Sequence, residues 1–135
     1  MATSSSAQTV DEVTTKDERP PVWSGHIRVG ARDTAESSRF YEAIGLRTVF
    51  VSDEQAIFEL RGGTHILLRP NPEHVAGPVS FDFMVEDLLA THAAWAAACL
   101  EVSAISHVRI HDSFTVTDPA GNVIRVDNSH VVGIV

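Results

Sequence analysis

His26 and Arg28, His65 and Arg69, Asp82, His111, and Arg125 and Asp127 all fall in segments where polar and apolar residues alternate. Successive side chains of a strand point to opposite faces. If Ile27, Val29, Ile66, Leu68, Phe81, Phe83, Phe114, Val116, Ile124 and Val126 are buried, their neighbours collect on the other face. That face reads His26 and Arg28, then His65, Leu67 and Arg69, then Ser80, Asp82 and Met84. It continues with His111, Ser113 and Thr115, and ends with Val123, Arg125 and Asp127. A merely solvated sheet face would be rich in Thr, Lys and Glu; this one concentrates His, Arg and Asp. An imidazole exchanges protons near neutral pH, and a guanidinium stays charged and can hold an anion or a developing oxyanion.

The elements that must position these residues are legible from turns and caps. Asp118-Pro119-Ala120-Gly121-Asn122 is a tight turn between Ser113–Thr117 and Val123–Asp127, which makes a β-hairpin. Earlier, His26–Val29 alternates as a strand, and Asp33 begins a helix with Glu36 as a reciprocal capping partner. That helix runs to Ile44 and stops at Gly45, which can take the left-handed conformation. Strands follow at Leu46–Val51, Gln55–Leu60 and Thr64–Arg69, with Gly62-Gly63 as the last turn. The order is β-α-β-β-β. The second half repeats it: a strand over Val79–Val85, a helix from Asp87 to Ala98, and three strands from Leu100 onward. A constant offset carries Ile27 onto Phe81, Asp33 onto Asp87, Gly45 onto Cys99 and Leu46 onto Leu100; a slightly longer one carries Gly63 onto Gly121 and Ile66 onto Ile124. Two alternations and two caps superpose together, so the chain is a duplicated βαβββ module. The stretch from Ile105 to Asp112 has no clear turn.

Residues 1–22 are rich in Ser, Thr, Asp and Glu, close on Pro20-Pro21 and read as a flexible arm. A single domain is expected over residues 23–130, with modules at about 23–70 and 79–130. The net charge of −8 argues against nucleic acid or an anionic membrane as partner. One cysteine excludes an internal disulfide and fits a reducing compartment, so a cytoplasmic protein is expected.

The segments HIRVGARDTAESSRFYEAIGL, SFDFMVEDLLATHAAWAAACLEV and FTVTDPAGNVIRV resemble the vicinal oxygen chelate superfamily, which includes glyoxalase I, extradiol dioxygenases and bleomycin-resistance proteins. The resemblance implies an α+β fold in which each module curls into part of a U-shaped mixed sheet, helices outside and a ligand cavity inside. It also implies a homodimer. The alternating polar face then becomes the cavity wall. His26, His65 and His111 become the candidate catalytic residues, while Arg28, Leu67, Ser80, Asp82, Met84, Ser113, Arg125 and Asp127 become candidate ligand contacts. Arg28 and Asp82 occupy equivalent positions on strands that lie side by side in the family, so an ion pair between them is expected. Arg69 and Asp127 are equivalent in the same way, near solvated strand ends. His74 and His92 are given no role.

The family's four metal-ligand positions fall on His26, Leu67, Ser80 and Arg125. One imidazole, one hydroxyl, one aliphatic chain and one cation do not make a divalent-metal site, so no metal and no cofactor is expected. A displaced site on His65, His111 or Asp127 is the route by which a metal enzyme survives. Two functions follow. The favoured one is a metal-independent lyase- or isomerase-type enzyme on a small oxygenated metabolite, with histidine moving protons and Arg125 holding an anion. The alternative is a protein that sequesters a drug or other small molecule, for which flat aromatic surface is the usual means. Phe81, Phe83 and Phe114 are expected to face the helices, so the wall itself has no aromatic ring, although Trp23 could contribute from the edge of the first strand and Met84 from the wall.

Overall fold

A computed structural model of the chain describes residues 17–108, 111–130 and 135. The first module comprises β1 (His26–Ala31), α1 (Thr34–Ala43), β2 (Arg47–Val51), β3 (Ala56–Glu59) and β4 (His65–Pro70). The second comprises β5 (Gly77–Val85), α2 (Leu88–Ala97), the short β6 (Glu101–Val102) and β7 (Ser106–Val108), β8 (His111–Thr117) and β9 (Asn122–Asn128). Both β6 and β7 pair with β8, so together they act as one interrupted edge strand and the module keeps its βαβββ order. This resolves the stretch in which the sequence showed no turn.

The strands form two mixed sheets, ordered β1-β4-β3-β2 and β5-β9-β8-β6. In each, the first and last strands of the module run parallel at one side, and the hairpins extend the sheet antiparallel. One helix packs on each sheet, α1 over β2–β4 and α2 over β6, β8 and β9. The alternating apolar residues lie beneath the helices. Ile66, Leu68, Val116, Ile124 and Val126 are fully buried, with Phe58, Phe83, Phe114 and Trp95 around them.

The helix ends match across the repeat. Asp33 accepts the amides of Ala35 and Glu36, and Asp87 accepts that of Ala90. Among the described residues Glu36 makes no return bond, so Asp33 caps α1 alone rather than in a reciprocal box. At the C-termini, Leu46 N–H donates to Tyr41 O at 3.2 Å and Leu100 N–H to Trp95 O at 3.1 Å. This closing bond requires a left-handed residue just before it. Gly45 provides φ of 105°, and Cys99 takes φ of 63° in the same place.

The two modules are joined by a buried polar network. Asp118 Oδ1 accepts the amides of Ala120 and Asn122, which shapes the turn, while Oδ2 accepts Asn122 Nδ2 at 2.8 Å and Tyr41 Oη at 2.7 Å. Asn122 Nδ2 also donates to Gly30 O at 3.0 Å. The turn of the second module is thereby fastened to α1 and β1 of the first. Among the described residues, no helix is long and apolar enough to cross a membrane.

Candidate functional site

Strand register sorts the wall residues into cross-strand rows. In the first sheet, His26 lies opposite His65, His65 opposite Glu59, and Glu59 opposite Arg47. These four side chains make a continuous polar row over four strands. Arg47 Nη2 is 3.1 Å from Glu59 Oε2, and Glu59 Oε1 is 3.3 Å from His65 Nε2. The His65 and His26 rings stand 6.3 Å apart, tilted by 40°. Glu59 can only accept as a carboxylate, so its contact selects the Nε2–H tautomer of His65 and leaves a lone pair on Nδ1. The His65 ring is thus oriented by Glu59, with the His26 imidazole beside it.

Glu59 and Arg47 were not among the residues singled out from sequence. The signal was present: Ile57 and Glu59 alternate with the fully buried Ala56 and Phe58 and so belong to the wall.

The next row of that sheet is Arg28, Leu67, Ile57 and Phe50. Phe50 corrects the expectation of a wall without aromatic rings. A bulge between Thr48 and Phe50 shifts the register, so Phe50 pairs with Ile57 and not on the helix side with Phe58. Phe50 is 51% exposed.

In the second sheet one row is Asp82, Arg125 and Thr115, and the next is Met84, Asp127 and Ser113. The expected Arg28–Asp82 ion pair is not formed, because Asp82 is engaged within its own module. Its carboxyl is hydrogen-bonded to that of Asp127, which holds Asp82 above the usual carboxylate range; partial burial adds to this and Arg125 opposes it. Nor is Asp127 solvated: it is buried, and Arg125 Nε donates to its Oδ1 at 2.7 Å. Contact between two carboxyl groups favours the protonated form of Asp82. Arg69 remains exposed at the end of β4.

The rows do not converge into one cluster. Arg28 and Ser80 belong with a groove of about 440 Å³ between β1 and β5, where Phe81 and His74 also stand. Phe81 is half-buried there, not directed wholly to the helix. A register shift in β5 between Pro78 and Asp82 separates Ser80 from the Arg125 row. His111 lies on β8 opposite Val108, and its side chain falls outside the described residues.

The family's metal positions are therefore distributed as His26 in the first sheet, Leu67 opposite Arg28, Ser80 at the groove, and Arg125 bonded to Asp127. This donor set does not fit a divalent ion. Among the described residues no three His, Cys, Asp or Glu side chains converge as metal ligands.

Two histidines left without a role have defined partners. His92 Nε2 donates to Ser103 O at 2.8 Å, with its ring edge against Phe114, which makes it a packing residue. His74 contacts Asn122 Oδ1 through Nε2 at 2.8 Å.

Solved structures share this architecture. Lactoylglutathione lyase from Agrobacterium tumefaciens superposes with a TM-score of 0.68 at 22% identity, covering 86% of this chain and 100% of its own. A bleomycin resistance determinant encoded on the transposon Tn5 gives 0.65 at 16% identity, covering 82% and 100%. A bleomycin-binding protein complexed with bleomycin gives 0.64 at 17%, covering 81% and 99%. At these identities the likeness shows the fold. No curated protein matches the sequence. The family model that matches residues 23–126 is that of the glyoxalase/bleomycin resistance protein/dioxygenase superfamily, and the chain belongs to that superfamily.

Proposed function

We propose that this protein is a metal-independent enzyme of the lyase or isomerase type, moving a proton on a small oxygenated metabolite in the cytoplasm. His65 is the base, His26 the neighbouring proton carrier, and Glu59, itself held by Arg47, the group that orients His65. The observation that carries this reading is the 3.3 Å contact between His65 Nε2 and Glu59 Oε1. A base held by a third group is the arrangement that general acid–base catalysis needs. Among the solved structures of this fold, one is named as a lyase. The test is mass spectrometry of the small molecule that co-purifies with the protein. Release of an isomer or a smaller fragment supports an enzyme, and release of the unaltered molecule opposes it.

A second reading, sequestration of a drug-like molecule, is favoured by Phe50 on the wall and by the likeness to a protein solved with bleomycin. It predicts binding without conversion, and loss of affinity on Phe50→Ala. The working form is proposed to be a homodimer, since Val49, Phe50 and Val51 leave edge strand β2 exposed. Light scattering that gives a single 14.6 kDa species would remove that part.

A further inference from the structure

The groove between β1 and β5 is separate from the Glu59–His65 row and has its own chemistry. Along the wall face of β1, His26 and Arg28 are followed by Gly30, which has no side chain to offer. The space is taken instead by His74 from the segment joining the modules. A Cβ at Gly30 would lie 2.5 Å from His74 Nδ1, so only glycine lets the ring sit there. The ring is held in one orientation. Asn122 donates through Nδ2 to Gly30 O and Asp118 Oδ2, so its Oδ1 is the acceptor and His74 Nε2 the donor. Asn122 is 3% exposed and anchored by Asp118, which in turn holds Tyr41. The segment that carries His74 is further tied down by Arg32, which donates to His74 O at 3.2 Å.

The charge in this groove is opposite to that of the whole chain. The chain carries a net −8, yet among the described residues the groove is lined by Arg28 and by no Asp or Glu. Among the described residues Arg28 has neither an ion-pair partner nor a hydrogen bond. The groove is lined also by Ser80 and by the apolar Val75, Pro78 and Phe81. An unpaired guanidinium in a groove that also holds a hydroxyl residue suits a carboxylate, and the apolar remainder suits a compact hydrocarbon body.

We propose that the groove between β1 and β5 binds a small carboxylate with an apolar body, with Arg28 as its cation, Ser80 as a hydrogen-bond donor and the anchored His74 ring as one wall. The site does not depend on the His65 row.

The experiment is a titration of the full chain with benzoate, followed through the backbone amide resonances of Gly30, Gly77 and Ser80, with benzamide and inorganic phosphate as comparison probes. Benzoate is expected to shift these resonances saturably, with benzamide and phosphate each at least about tenfold weaker. Arg28→Gln is expected to weaken benzoate by about tenfold or more, while His65→Gln leaves it unchanged. Absence of saturable benzoate binding overturns the site. Equal affinity for benzamide overturns the carboxylate, and equal affinity for phosphate overturns the apolar body. The probe comparison uses the unsubstituted protein and decides the matter even if Arg28→Gln folds poorly.

Discussion

Tyr41 and Asp118 lie 77 positions apart in the chain and meet through a 2.7 Å hydrogen bond in which the phenol donates to the carboxylate. Burial, with the neighbouring carboxylate, pushes the Tyr41 hydroxyl far above its usual range, so it remains a neutral donor. This bond couples α1 of one module to the turn of the other. Tyr41→Phe removes the donor and leaves a buried carboxylate oxygen one partner short, which costs about 1.5–3 kcal/mol for a bond to a charged group. Urea unfolding should show that loss as a single transition. A change below about 0.5 kcal/mol would mean that this bond adds little to the hold between the modules.

Cys99 takes a left-handed conformation, φ of 63°, where the first module uses Gly45. Its side chain is exposed, so little packing is lost on truncation. Cys99→Gly should leave stability unchanged or raise it by up to about 1 kcal/mol. A loss above that, measured by thermal unfolding, would show that the thiol packs.

These relationships bear on what a reader of the sequence could see. The repeat of helix caps placed Cys99 opposite Gly45, and alternation placed Ile66, Leu68, Ile124 and Val126 in the core, where they are fully buried. The same count put Leu67 and Arg125 on the wall face, where Leu67 lies opposite Arg28 and Arg125 opposite Asp82. Bulges hid the rest. The extra residue near Val49 turns Phe50 to the wall, and the shift in β5 parts Ser80 from Arg125. Backbone irregularities of this kind arise from pairing and packing across strands, which alternation within one strand does not encode. The third strand's wall residue, Glu59, was readable from its alternation with Phe58. His74 was not, since its seat over Gly30 depends on how the linking segment folds back.

The contact between the Asp82 and Asp127 carboxyl groups sets a pH dependence. Asp82 has a raised value in the folded protein, so between its ordinary value near 3.8 and that raised value the folded state binds more protons than the unfolded one. Stability contributed by this pair is therefore present at low pH and lost as pH rises through the window. Asp82→Asn should flatten that part of the stability–pH curve and leave the protein at least as stable at neutral pH. A steeper loss of stability with rising pH in the variant would contradict the raised Asp82 value.

Leu67 and Arg125 also bear on metal content. With an aliphatic chain and a guanidinium at two of the family's ligand positions, protein prepared without chelator should contain well under one equivalent of zinc, nickel, manganese or iron. Added chelator should change neither its melting temperature nor its ligand binding. One equivalent of tightly held metal, lost on His26→Ala, would overturn this account of the donor set.

The central claim is that the row Arg47–Glu59–His65–His26 moves a proton. The direct measurement is time-resolved mass spectrometry of a small-metabolite extract incubated with the wild-type protein, His65→Gln and Glu59→Gln. The wild type should consume one oxygenated metabolite and yield an isomer or an elimination product. His65→Gln should abolish conversion and Glu59→Gln should slow it by roughly 10²-fold or more, while binding stays within about tenfold. A metabolite that binds and leaves unchanged, or one converted equally by His65→Gln, would contradict the claim.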